Sequence, residues 1–168
     1  MRRAPAVGSE REVLVGMLRE QRQIVRWKLE SAADDALLAA RAPSGTGAHG
    51  LVNHLTQVER WWWRDVVAGE DGLAYDWSDD DMDGEFRTTA PMGDLLAAYA
   101  EECARCDAVL DAVDLDATAA RQPRGRPLSV RWVTAHMVQE TARHLGHLDL
   151  LRELADGSVG DLPPEARR

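Results

Sequence analysis

The sequence predicts an all-α protein, a four-helix bundle with a long crossover connection between its second and third helices. Three observations carry that reading. Apolar residues recur at steps of three and four along four separate stretches, the spacing of amphipathic helices. No stretch of useful length alternates apolar and polar residues as a strand would, and no internal repeat is present. A chain of 168 residues with 45% hydrophobic and 29% charged residues has the size and composition of one globular domain.

The first helix is expected over residues 9–32. Ser9 and Glu10 supply an N-cap and a first-turn acid, and Leu14, Met17, Leu18, Ile24, Val25 and Leu29 form its stripe, with Gln21 filling one turn. The breaker-rich segment 42–50, APSGTGAHG, reads as a loop. A second helix runs over about 50–68 with Leu51, Leu55, Val58, Trp62 and Val66 near one face, and Gly69 stops it. The polar, acidic residues 70–91 make the crossover. The third helix, about 92–114, carries Met92, Leu96, Tyr99, Cys103, Cys106, Leu110 and Val113 on its seam. After Pro123, Gly125 and Pro127, Ser129 caps a fourth helix over about 130–155, and Gly157 ends it. The bundle is thus placed at 9–160, with flexible tails at 1–8 and 161–168, the latter opening near Pro163 and Pro164.

Composition also excludes functions. The net charge of −9 opposes non-specific nucleic-acid binding. No run reaches the roughly 18–20 apolar residues of a membrane span, and the N-terminus has no apolar core behind Arg2 and Arg3 to make a secretory signal. A cytoplasmic location is the resulting expectation. Two cysteines are too few for a disulfide scaffold.

The chemistry lies where polar residues interrupt the fourth helix. Glu140 and His144 share the stripe of Val133, Met137, Leu148 and Leu151, and a spacing of four places one a turn above the other. A carboxylate on a core face needs its charge offset, and a divalent cation does so. Two ligands at i and i+4 grip one ion, and His54, near the apolar face of the second helix, is the natural third. Such a His/Glu/His set leaves coordination positions open, as catalytic sites do. The same spacing also suits a hydrogen-bonded Glu–His pair with no metal. His136 and His147 lie one turn before Glu140 and just after His144, so either joins the set if the helix is rotated slightly, or else sits beside it. His49 reads as a solvated loop residue.

The segments GLVNHLTQVERWW (50–62) and LSVRWVTAHMVQETARHLGHLDLLREL (128–154) resemble the DinB-like superfamily, and more narrowly its actinobacterial branch of mycothiol transferases. The resemblance extends from about residue 9 to 160. It implies a four-helix bundle whose metal is held by one histidine from the second helix and two ligands four apart on the last, here His54, Glu140 and His144. Many members carry two histidines at the last positions, whereas this chain has Glu140 first. Mycothiol-dependent maleylpyruvate isomerase, a relative, also uses Glu and His there. The carboxylate lowers the charge of the site and makes the ion a weaker Lewis acid.

Other motifs carry blander readings. Cys103 and Cys106 have CxxC spacing but lie mid-helix on the seam, so they read as inert core thiols. Trp61, Trp62 and Trp63 cannot all face the core at 100° per residue, so at least one is partly exposed or lines a pocket. Aspartates around 79–83 lack the spacing of a calcium loop and read as solvated. Arg143 and Arg152 flank the site and suit helix-surface ion pairs.

The function these readings favour is a metal-dependent thiol S-transferase, with mycothiol as co-substrate and an electrophilic small molecule as acceptor. Zinc suits the ligands first, with nickel, iron or manganese compatible. The alternatives are a bundle that binds metal or a small ligand without turnover, as a sensor or sink, and a metal-free dimer in which Glu140 and His144 are a structural pair. A homodimer is compatible with either enzyme or binder.

Overall fold

Ser9 opens the first helix by a reciprocal cap. Its Oγ accepts from the Glu12 N–H at 3.2 Å while its own N–H donates to Glu12 Oε2 at 2.8 Å. Helix α1 then spans Glu10–Glu30 in the computed structural model, which describes residues 1–160. A short helix α2, Asp34–Ala39, follows. Next, α3 runs from Ala48 to Glu59 and continues without a break as a π-helix over Arg60–Val67. The crossover contains a single 3-10 turn, Gly84–Arg87. It leads to α4, Met92–Ala112, and then to α5, Val130–Asp156, which Ser129 caps through the Trp132 N–H at 3.2 Å. Gly157 ends α5 in the left-handed conformation, φ 74°. Three isolated bridges are the sole β pairing among the described residues, so the all-α expectation holds.

The four long helices touch in a closed ring: α1 packs on α5, α5 on α3, α3 on α4 and α4 on α1. Leu18, Val25, Leu51, Leu55, Tyr99, Leu110, Val133, Met137 and Leu148 meet inside it with at most 1% exposure. Two differences from the expected pattern matter here. The helix α2 was hidden because six residues are too few to show a period, yet its Leu37 is fully buried. The π-helix turns each residue through less than the 100° of an α-helix, so Trp62 and Trp63 both point inwards and Trp61 stays half-buried. Among the described residues, no helix is long and apolar enough to cross a membrane.

Charges penetrate the ring as pairs. Arg22 on α1 donates from Nε and Nη2 to both oxygens of Glu59 on α3, at 2.7 and 2.5 Å, and Glu59 is fully buried. Arg22 Nη1 reaches Asp107 of α4 at 2.7 Å, so three helices share one guanidinium. Glu102, buried on the seam of α4, accepts from Arg60 at 3.1 Å and Arg64 at 2.9 Å on the π-helix. The residues 1–8 lie along α1, where the Ala4 N–H donates to Glu20 Oε2 at 3.0 Å.

Because neither member of the Arg22–Glu59 pair can reach water, Glu59→Ala is expected to destabilise the fold by about 3–5 kcal/mol. The combined Arg22→Met, Glu59→Leu variant is expected to recover most of that loss. Urea denaturation monitored by helical circular dichroism measures both. Equal destabilisation by the single and double variants contradicts this account.

Candidate metal centre

The i, i+4 geometry of α5 stacks His144 a turn beyond Glu140, and His144 Nε2 meets Glu140 Oε1 at 2.9 Å. From α3, His54 Nε2 approaches the same oxygen at 3.3 Å. The donor atoms of His54, Glu140 and His144 all lie within 4.8 Å of one another. The sequence placed Glu140 and His144 on the core stripe. In the structure the fully buried line runs through Thr141 and Leu145 instead, and the pair sits on its flank, facing α3. Side-chain exposures of 21% for Glu140, 12% for His144 and 13% for His54 leave the cluster within reach of solvent.

The crossover completes the surroundings of His54. Its 3-10 turn brings Glu85 Oε1 to 2.7 Å from His54 Nδ1, and Phe86 stacks on the imidazole with ring centroids 4.8 Å apart. Two side chains of α3 hold this segment down. Asn53 Nδ2 donates to the Glu85 carbonyl at 2.8 Å and to Asp76 Oδ2 at 2.9 Å. Gln57 both donates to Asp76 Oδ2 at 2.8 Å and accepts the Asp76 N–H at 2.7 Å. Gly50 lets the backbones meet, since a Cβ there would lie 2.5 Å from the Phe86 carbonyl oxygen. Sequence reasoning missed Glu85 and Phe86, because they sit in an acidic connection with no period to single them out.

Electrostatics mark the cluster. Burial opposes a charged His54, but hydrogen bonds to Glu140 and Glu85 outweigh it and raise its pKa to about 9. Hydrogen bonds from His144 and His54 hold the Glu140 carboxyl well below the usual carboxylate range, against the opposing effect of burial. The residues present fit a divalent cation. Metal–ligand bonds of about 2.0–2.2 Å in a tetrahedral site set neighbouring donors roughly 3.3 Å apart; Glu140 Oε1 lies 2.9 and 3.3 Å from the two histidine nitrogens, and the whole set lies within 4.8 Å. Two nitrogens and one oxygen are donors that suit zinc and neighbouring transition ions.

The remaining candidates lie elsewhere. His136 stacks on Trp132 at 5.0 Å and meets the edge of Trp62 at 4.8 Å, and burial depresses its pKa. His147 is exposed and touches the far side of His144, Nδ1 to Nδ1, at 3.4 Å. His49 is a correction: α3 starts at Ala48, so its ring is 1% exposed rather than solvated, and it bonds Asp34 of α2 at 2.9 Å. Asp34 Oδ1 also accepts the Met92 N–H at 2.8 Å, which ties α2, α3 and α4 together away from the cluster. Cys106 is fully buried and points its thiol at the Glu59 carbonyl, 3.4 Å away. Burial pushes both Cys103 and Cys106 well above the usual thiol range. Arg152 does not flank the cluster on the surface. It is 7% exposed, donates to the Lys28 carbonyl near the end of α1, and pairs with Asp156 at 2.8 Å. Arg143 is exposed, and residues 79–83 form an exposed acidic turn.

Two histidines and a glutamate thus converge between α3 and α5 of a helical ring. A family model described as mycothiol-S-transferase, a family of the DinB-like superfamily, matches residues 13–157, and the chain belongs to that family. No individual curated protein matches it significantly.

Gly50 gives this arrangement a direct check. In Gly50→Ala the new methyl meets a carbonyl of the main chain, which cannot swing aside as a side chain can, so the turn bearing Glu85 and Phe86 must move. The expected loss is about 1–3 kcal/mol of stability in denaturant unfolding, together with a shift of the His54 ring resonances as Phe86 unstacks. Wild-type values for both contradict the packing described.

Proposed function

We propose that the protein is a metal-dependent S-transferase that joins a low-molecular-weight thiol, mycothiol on the strength of the family, to an electrophilic small molecule. The observation that carries this reading is the convergence of His54, Glu140 and His144 in a half-open position between α3 and α5. Membership of the mycothiol-S-transferase family supports the choice of thiol.

In this reading His54, Glu140 and His144 hold one divalent ion, with zinc suited first by the donors. A bound ion supplies Lewis-acid stabilisation of the thiolate form of the incoming thiol at neutral pH. The chain's own residues set the conditions. Glu140 tempers the positive charge, since its anionic form is the one its neighbours stabilise. With side-chain exposures of 12–21%, the three residues would hold the ion within reach of solvent, from which a thiol would enter. One turn and more before Glu140 on α5, Trp132 and His136 pack with Trp62 of the π-helix into an aromatic group. The sulfur gives up its S–H proton to solvent and forms a new bond to the electrophilic carbon, from which the leaving group departs with the pair of the bond that breaks.

An external thiol is required because Cys106 is buried and Cys103 partly so, and burial holds both protonated. That property also separates the reading from a thiol-based redox role for Cys103 and Cys106.

The direct assay mixes the protein with mycothiol and a chromogenic dinitroaryl halide. The expected result is consumption of thiol with one conjugate formed per thiol, lost on adding a chelator and reduced at least about 100-fold in His144→Ala. Binding of the thiol without conjugate, or turnover indifferent to chelation, would instead favour a non-catalytic sink or another reaction.

A further inference from the structure

Glu85 is an unusual residue to find in an exposed acidic connection. It is 6% exposed, its Oε1 bonds His54 Nδ1 at 2.7 Å, and its Oε2 is buried without a hydrogen-bond partner. A buried carboxylate with a single partner is costly, and a residue serving only to anchor the turn would satisfy both oxygens. The turn is already anchored by other groups, through Asn53 to the Glu85 carbonyl and through Gln57 and Asn53 to Asp76. The side chain of Glu85 is therefore free to do something else, and all it touches by hydrogen bond is the ring that faces Glu140.

We infer that Glu85 is a positioning residue for the metal centre: it fixes the His54 proton on Nδ1 and turns the Nε2 lone pair towards Glu140 and His144. The inference rests on His54, Glu140 and His144 being the metal-holding set. An imidazole binds a cation through one nitrogen while the other keeps its hydrogen, and the partner of that hydrogen decides which nitrogen is which. Here the partner is an anion, so it favours Nδ1–H and pushes electron density towards Nε2. Phe86, stacked on the ring at 4.8 Å, limits rotation about the same side chain.

The crossover between α3 and α4 is then part of the site. Asp76 and Gly50 act on the metal only through Glu85 and Phe86.

Two variants separate this role from simple packing. In Glu85→Gln the side chain keeps its shape and its carbonyl can still accept from Nδ1, so the proton stays in place but the charge is lost. In Glu85→Ala both are lost. Zinc affinity is measured by competition with a chromogenic chelator on full-length protein, alongside the absorption bands of the cobalt(II)-loaded form and the Nδ1–H resonance of His54 in the zinc-loaded form. Outer carboxylates of this kind contribute about 10–100-fold in metal affinity. The expected order is a loss of roughly tenfold for Glu85→Gln with the Nδ1–H resonance retained, and roughly 100-fold for Glu85→Ala with altered cobalt bands. Circular dichroism of the metal-free variants checks that the helices persist. Zinc bound by wild type and by both variants with equal affinity overturns the inference while leaving the functional reading intact. A wild type that binds neither zinc nor cobalt overturns both.

Discussion

The structure is organised around one anionic oxygen, Glu140 Oε1, approached by two imidazoles from two different helices. A carboxylate half-buried on a helix flank is unfavourable unless a hydrogen-bond donor or a cation answers it. His144 meets it from the same helix and His54 approaches it from α3, so the requirement to satisfy one carboxylate oxygen also joins α5 to α3. Glu85 then answers His54 from the far side. The alternation of carboxylate and imidazole, from Glu85 through His54 to Glu140 and His144, runs across the crossover and two helices. A cation sitting among the three inner groups completes that alternation with a full positive charge. The fold supplies the rigidity: the charges that could loosen the bundle are tied in separate pairs, Arg22 with Glu59 and Glu102 with Arg60 and Arg64.

The cysteines bear on the chemistry by what burial does to them. A thiol in apolar surroundings loses the solvation that its thiolate needs, so its pKa rises and its nucleophilicity at neutral pH is suppressed. Cys103 and Cys106 both experience this, and neither belongs to the His/Glu/His cluster. The reactive sulfur of an S-transferase built this way comes from a small molecule. Trp62, brought inwards by the π-helix, packs against Trp132, which is 47% exposed, and against His136, an aromatic group one turn and more before Glu140 on α5.

The long helices were legible because each repeats its apolar residues over five or more turns, which no other structure satisfies. The three converging side chains were legible for a related reason: Glu140 and His144 interrupt such a pattern, and His54 lies near the apolar face of the second helix, a choice the resemblance then matched. What escaped had no pattern to break. α2 is shorter than two turns, and the π-helix differs from an α-helix by one hydrogen-bond step that leaves the sequence period ambiguous. His49 was misplaced because Gly47 and Gly50 look like loop residues. In fact Gly47 is the N-cap, and Gly50 is small because the Phe86 backbone lies against it. Glu85 sits among solvated acids, and only the three-dimensional contact with His54 distinguishes it from Asp79 or Asp83.

The central claim is that His54, Glu140 and His144 hold one divalent ion, and native mass spectrometry of untagged protein titrated with zinc tests it most directly. The account predicts a single added ion per chain for the wild type, at stoichiometric zinc, and none at that concentration for Glu140→Ala. A wild type that stays metal-free, or a Glu140→Ala variant that binds as the wild type does, would contradict it and leave the cluster a hydrogen-bonded pair with a histidine neighbour.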